Sequence, residues 1–283
     1  MDEASISVVI PFFGAHEALK AALASVAAQT LAPMEVLVID DASPEPPDVS
    51  DTIRLLRLAK NCGPAAARNV AIAGARGRFL AFLDADDLWA PGKLKAQAAA
   101  ALARPDPDAC VCVAETWERW PDGDRRRARW RPEDGPLGDF FFVRSGVMQT
   151  SSLFVATALA RAHGFDARLR QYEDLQFLLD LEGAGADFVF QDEKLFVWRR
   201  GHGGRQLSQR LHFASGRAFL DAAGPRLSPR ASAAFEARHF GPALLRRQPL
   251  AFAGAAFRAW RLGGVSARGL AGAVMRSLEV EVY

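Results

Sequence analysis

Short apolar runs alternate with amphipathic stretches along the first two hundred residues. Ser5–Pro11 is a β-branched run, and His16–Gln29 follows with Leu19, Ala22, Leu23 and Val26 at helical spacing. Met34–Asp40 is a second apolar run that ends in acid; after the turn-rich Ser43–Pro47, Ile53–Leu58 reads as a strand or a short helix. Pro64–Ala75 is Ala-rich and helical, with Gly77 ending it, and Arg78–Leu83 is a third strand that again runs into acids. Leu94–Leu102 predicts a helix and Cys110–Val113 a strand. Strands alternating with helices at this pitch predict βαβ units and an α/β class with a mostly parallel central sheet. The near-continuous apolar strands fit a sheet covered by helices on both faces.

Trp117–Asp139 breaks the rhythm: rich in Arg, Trp, Pro, Gly and Asp, it predicts a loop or hairpin over one end of the sheet. Beyond it, Ser152–Val155 predicts a strand and Ala156–His163 and Glu173–Leu181 helices, with Asp187–Phe190 and Lys194–Trp198 as two closing strands. After Gly204 the pattern turns helical, which places a boundary near residue 205: a first domain over 1–205 and a helical extension over 206–283. In the extension, Ala251–Leu262 puts Phe252, Ala256, Ala259 and Trp260 on one side, near Arg258 and Arg261.

At 283 residues, 50% hydrophobic and 24% charged, the chain excludes disordered, collagenous and disulfide-stapled classes. Its three cysteines (Cys62, Cys110, Cys112) lack paired spacing, which argues for a reducing compartment. The start, MDEASISVVIPFF, lacks a basic segment before an apolar core, so no signal peptide is expected; no run of about 18 apolar residues suggests a membrane span. The net charge of +2 is unevenly spread: residues 206–283 hold eleven Arg and four acids, a net +7, leaving −5 on the first 205 residues. A basic tail on an acidic body points to an anionic partner for the tail.

The candidate chemistry lies in the acids at the strand ends. Asp40 and Asp41 follow one apolar run, and Asp84, Asp86 and Asp87 follow another. Ligands of open parallel sheets bind outside the carboxyl ends of the strands. Two carboxylate clusters there repel unless a cation or hydrogen-bond donor lies between them, and Mg²⁺ or Mn²⁺ shared with a phosphate suits an oxygen donor set. The plainer reading, acids that merely end strands and cap helices, stays open for any single Asp.

The order of features is more specific. VVIPFF, a helix ending SVAAQT, MEVLVIDDAS, NCGPAAARNVAIAGARGRFLAFLDADDLWAPGKL, QTSSLFV and YEDLQFLLDL follow one another. Over about Ile6–Leu181 this resembles the family-2 glycosyltransferases of the GT-A fold. The resemblance implies a Rossmann-like catalytic domain, helix-flanked, in which a nucleotide-diphospho-sugar donates its sugar to an acceptor hydroxyl, with Mn²⁺ or Mg²⁺ on the diphosphate. It places Pro11 and Phe13 along the nucleotide base, with Gly14 where the family often has Asn. It places Asp41 at the base edge with Asp40 as runner-up, and Arg68 near the nucleotide. Asp84 and Asp86 become the D-x-D pair, Asp86 on the metal and Asp84 on the ribose or a metal-bound water. Trp89 would wall the sugar pocket. Thr150 and Glu173 would meet the acceptor, with Ser151 beside Thr150. Asp174 would be the general base for inversion, and His202 would complete the metal or phosphate shell.

Other classes fit less well. A sugar nucleotidyltransferase needs a Gly-rich, Arg-bearing loop after the first strand, and PFFGAHEA has one Gly and no Arg or Lys. A dinucleotide oxidoreductase needs a G-x-G-x-x-G that is absent. A non-catalytic nucleotide-sugar-binding or scaffold protein stays open as the alternative. Nucleic acid is not an expected partner. A UDP-sugar is the favoured donor, and the acceptor class spans glycans, lipid-linked glycans and small molecules. The expected setting is surface polysaccharide or glycolipid synthesis in the cytoplasm; the apolar side of the basic extension is expected to be covered by the catalytic domain, with peripheral contact at the inner membrane face as the alternative.

Overall fold

The computed structural model describes residues 4–120, 122–126, 131–199, 213–240 and 248–266. The chain divides into two compact units, residues 1–130, 148–167 and 181–202 in the first and 131–147, 168–180 and 203–283 in the second. A single cut at residue 205 is therefore corrected: two earlier segments join the C-terminal part.

The first unit is built on one sheet with nine strands among the described residues. Strands β1 (Ile6–Phe12), β2 (Glu35–Asp40), β3 (Arg54–Arg57) and β4 (Phe79–Phe82) come first. They lie in the order β3-β2-β1-β4, all parallel. Three helices accompany them: α1 (His16–Ala27), α2 (Pro64–Gly74) and α3 (Lys93–Leu102). Helix α1 buries Leu19, Ala22 and Val26, the predicted stripe. Helix α2 starts on Pro64 after Gly63 at φ 89°, a proline at the first helical turn, where its missing N–H costs nothing. Its buried positions are mostly alanines, so the helix packs close to the sheet. Gly77 lets the chain pass under β1: a Cβ there would lie 2.5 Å from the Ser7 amide nitrogen.

Beyond β4 the sheet becomes mixed. Strands β5 (Leu88–Trp89), β6 (Cys110–Trp120), β7 (Gly123–Arg126), β8 (Leu153–Ala156) and β9 (Asp187–Arg199) complete it. The path continues β4-β8-β6-β9-β5, with β7 on β6. β8 is antiparallel to both β4 and β6, and β6 and β9 are parallel. Helix α5 (Thr157–His163) follows β8. One expectation is met here and one changes. The hairpin expected within Trp117–Asp139 is present: β6 runs on to Trp120 and pairs antiparallel with β7. The two closing strands are one, β9, which continues through exposed Asp192–Lys194 because a register shift between Ala114 and Thr116 absorbs the mismatch.

The second unit is helical: α4 (Leu137–Phe142), the start of α6 (Glu173–Gly183), α7 (Phe213–Ala223), α8 (Pro229–Phe235) and α9 (Pro249–Arg261), with a π turn over Glu236–Phe240. Its core is aromatic. The Phe142 ring meets Phe219 at 5.6 Å and Phe235 at 5.1 Å, each edge-on, the preferred arrangement of aromatic quadrupoles. Buried Asp139 accepts from Arg230 Nε at 2.7 Å and from the Ser228 hydroxyl, which tie α4 to α8. This packing is why 131–147 belongs with the C-terminal helices.

Candidate active site

The parallel strands carry their C-terminal ends to one sheet edge. Phe12 pairs with Asp40 across β1 and β2, and Val9 with Phe82 across β1 and β4. Leaving β1, Pro11 is half-buried, Phe12 is core, and Phe13 is 54% exposed at this edge. Gly14 follows at φ +69°, a left-handed turn that costs Gly nothing. Its N–H donates to Ser43 Oγ at 2.9 Å, and the Ser43 N–H donates to Asp40 Oδ1 at 2.8 Å. Asp40 is buried, and Arg57 Nη1 lies 3.1 Å from its Oδ2.

Asp41 is also buried, and both its carboxylate oxygens hold the loop before α2. The Cys62 N–H donates to Oδ1 and the Gly63 N–H to Oδ2, each at 2.7 Å. An ionised carboxylate has about four lone-pair sites, so each oxygen keeps acceptor capacity. The residue expected at a base edge is thus also a clasp between β2 and α2.

The Asp84–Asp87 turn lies between β4 and β5, with Asp84 and Asp86 half-buried and Asp87 buried. The Asp87 N–H closes the turn on the Asp84 carbonyl at 3.0 Å. Ser151, buried in the 3-10 turn Thr150–Ser152, braces it twice. Its Oγ accepts the Asp84 N–H at 3.0 Å and donates to Asp87 Oδ2 at 2.6 Å. Arg199 at the end of β9 donates its N–H to Asp87 Oδ1 at 3.2 Å and its Nε to the Asp86 carbonyl at 2.6 Å. Arg68, buried on α2, pairs with Asp84 Oδ1 at 2.7 Å, its guanidinium 5.2 Å from the centre of the Phe165 ring. The expectation that Trp89 walls a pocket is corrected. Trp89 is only 5% exposed, and its indole N–H is bonded to the Ser151 carbonyl at 3.0 Å, so it supports the turn from the core. Thr150, expected at an acceptor, is likewise buried.

The turn is electrostatically under-compensated. Burial, and then the Asp84 charge, raises the Asp86 carboxyl above the usual carboxylate range. Burial, then Asp86 and Asp84, raises Asp87 well above it. A hard divalent cation fits this donor set, because its charge opposes the repulsion that raises Asp86. Among the described residues no group of three or more His, Cys, Asp or Glu forms a self-sufficient cage. Mg²⁺-type sites commonly use one or two carboxylates plus substrate phosphates, and Asp84 and Asp86 are the residues that would hold such an ion.

Glu173 and Asp174 open α6 in the second unit, where carboxylates oppose the positive end of the helix dipole. Asp174 Oδ1 accepts the Leu175 N–H at 2.8 Å. Just before them Tyr172 has φ +71°, a conformation that costs a bulky residue about 1–3 kcal/mol. Its hydroxyl is hydrogen-bonded to His239 Nδ1 at 2.9 Å, and its ring packs on Phe235 at 5.4 Å. Burial, then the charge of Asp174, pushes the Tyr172 phenol up. His202 lies outside the described residues. Sequence reasoning missed the bracing roles of Ser151, Arg199, Ser43 and Tyr172. The one available signal was Arg199, a charge ending the apolar run Leu195–Trp198.

Comparison with known proteins agrees with this geometry. The model of the family described as glycosyl transferase family 2 matches residues 7–157, more than half of the chain. WfgD of Escherichia coli, a UDP-Glc:α-D-GlcNAc-diphosphoundecaprenol β-1,3-glucosyltransferase, is 41% identical over 103 residues, 34% of this chain and 41% of that protein. The succinoglycan biosynthesis protein ExoW of Rhizobium meliloti is 42% identical over 103 residues, 32% of each chain. The chain thus spans less than half the length of these relatives. The crystal structure of S. aureus TarS 1–349 in complex with UDP superposes with a TM-score of 0.58 at 20% identity, covering 83% of this chain and 72% of that one. This likeness shows the GT-A fold. With the family model spanning β1 through β8 and the acidic turn at the shared strand edge, the chain belongs to glycosyl transferase family 2.

Proposed function

We propose that this protein transfers a sugar from a nucleotide-diphospho-sugar, a UDP-sugar in the favoured case, to an acceptor hydroxyl with inversion, in the assembly of a surface polysaccharide or glycolipid. The observation that carries the reading is the acidic turn at the C-terminal end of β4, at the same sheet edge as exposed Phe13 and the Asp41 clasp. The names of the relatives support the setting: WfgD acts on a diphosphoundecaprenol-linked sugar and ExoW serves succinoglycan biosynthesis. TarS has been crystallised with UDP and with UDP-GlcNAc, which supports the donor class.

In this reading Phe13 stacks on the base and Asp41 accepts from its edge. Asp84 and Asp86 would hold Mn²⁺ or Mg²⁺, which when bound stabilises the charge that develops on the leaving nucleoside diphosphate. Arg68 fixes the Asp84 carboxylate, and Ser151 and Arg199 hold the turn in shape without reorganisation during the reaction. Asp174 is proposed as the general base that takes the proton of the acceptor hydroxyl, a group that single-step inversion requires.

Thermal shifts with UDP, GDP and dTDP, each with and without Mn²⁺, test the donor site. One nucleotide should stabilise the wild type in a Mn²⁺-dependent way, rising as ln(1 + [L]/Kd). The Asp86→Ala variant should lose the Mn²⁺-dependent part. An equal Mn²⁺-dependent shift in Asp86→Ala would remove the metal assignment, and no shift with any nucleotide would remove the donor reading.

A further inference from the structure

Helix α9 has two opposite apolar faces. One is buried and carries Ala255, Ala256 and Ala259, with Phe252 half-buried beside them. The other faces outward. Leu250, Phe257 and Trp260 recur along it at helical spacing and are 87%, 59% and 55% exposed. Phe257 and Trp260 lie 6.0 Å apart between ring centres, and Leu262 is exposed just past the helix. Of the eight large apolar side chains exposed among the described residues, four fall within Leu250–Leu262, so this is a patch rather than scatter. The expectation that Trp260 shares a side with Ala256 and Ala259 is corrected: it stands on the outward face.

The sequence around α9 is basic: from Ala237 to Leu278 it holds seven arginines and no acid. Arg261 is exposed among the outward apolar residues, and Arg258 flanks them, paired with Glu236. Along that flank a cavity of about 760 Å³ is lined by Arg217 and Arg258, with Glu236 as local counter-charge and Ala251 and Gly254 leaving it open. No helix of the described residues is long and apolar enough to cross a membrane.

We propose that the outward face of α9 docks on an anionic phospholipid surface, with Leu250, Phe257 and Trp260 entering the acyl boundary and the arginines meeting headgroup phosphates. Charge complementarity selects this occupant. A second copy packed about a two-fold axis would bring the same face, with the same arginines, against itself. An interfacial helix needs this combination of an apolar face, aromatic side chains and flanking cations. The proposal does not depend on the sugar-transfer reading.

The test is sedimentation of the full chain with vesicles, about one-third phosphatidylglycerol in phosphatidylcholine, against pure phosphatidylcholine. At low salt the wild type should bind the anionic vesicles and largely ignore the neutral ones, and high salt should weaken binding by screening. Phe257→Ser/Trp260→Ser should cut the partition coefficient at least about tenfold, the effect of withholding one buried aromatic side chain. Arg261→Gln should cut it about fivefold, the usual share of one cation near such a surface. All these side chains are exposed, so the variants should fold, and unchanged circular dichroism checks it. Wild type that ignores anionic vesicles at low salt overturns the proposal, as does a double variant that binds like wild type. A wild-type dimer that the double variant dissolves would assign the face to a second copy instead.

Discussion

Lys93 gives the sharpest test of how the acidic turn is supported. It lies fully buried at the start of α3, its ammonium 4.3 Å from the centre of the Trp89 ring and hydrogen-bonded to Gln97 Oε1. Gln97 Nε2 donates to the Ser152 carbonyl at 2.9 Å, and Trp89 to that of Ser151, so this group underlies the turn that holds Asp84 and Asp87. Burial lowers the Lys93 ammonium from 10.5 to about 7. A lysine depressed in the folded state is protonated in both states well below pH 7, where the cost of burying its charge is fully present. Between about 7 and 10.5 the unfolded chain keeps a proton that the folded chain has released, so stability rises with pH across that window. At 1.36 kcal/mol per unit, the gain between about pH 7 and 10 is roughly 3–4 kcal/mol. The cation–π contact with Trp89 favours the charged form and trims this by up to about 2 kcal/mol. Lys93→Met keeps the apolar stem and removes the proton. It leaves Gln97 Oε1 without its donor, a cost of about 1–3 kcal/mol that does not vary with pH. The slope, not the offset, is therefore diagnostic. Urea unfolding of both proteins from pH 6 to 10 should show the stability of wild type gaining on that of Lys93→Met as pH rises. Parallel curves would mean that Lys93 stays charged in the core, and the reasoning would fail.

Three further outcomes are expected. Asp174→Asn should lower kcat at least about a hundredfold with donor affinity little changed, the usual share of a general base; lost donor binding in titration calorimetry at normal kcat would move Asp174 to the donor site. Gly77→Ala, whose Cβ would lie 2.5 Å from the Ser7 nitrogen, should cost about 1–3 kcal/mol by overpacking. Its control, Gly92→Ala, meets nothing within 4 Å, so equal melting temperatures for the two variants would contradict the close approach under β1. Asp139→Asn leaves Arg230 without its carboxylate partner and should destabilise by about 2–4 kcal/mol, below the upper range for buried pairs because Arg230 is half exposed. Hydrogen exchange should then quicken in α4 and α8, and unchanged protection there would show that the pair does not hold them together.

Several features were legible in the amino-acid order alone. Ser5–Pro11, Met34–Asp40 and Arg78–Leu83 are mostly apolar and run into acids or turn residues, and they became β1, β2 and β4 within a residue or so at each end. Parallel strands put their C-terminal ends on one edge, so the acids that end these runs had to share it. The stripe of α1 and the Pro64 start of α2 were equally local, set by helical spacing and by proline's fixed φ. Tertiary structure decided the rest, because hydrophobic periodicity says which residues seek cover and not what covers them. Trp89 and Thr150 look like pocket residues until the Ser151 turn is laid beside them. Leu137–Phe142 reads as the tail of an irregular loop until Phe219 and Phe235 arrive from eighty and ninety residues away. Trp260 counts as core on a helical wheel, yet α9 has only one face covered, and its partner happens to meet Ala255, Ala256 and Ala259. The long β9 exists because β6 offers it a pairing edge past a register shift, which no reading of Gln191–Lys194 alone could supply. Local sequence determines backbone preference and polarity; which elements meet depends on contacts between residues far apart in the chain.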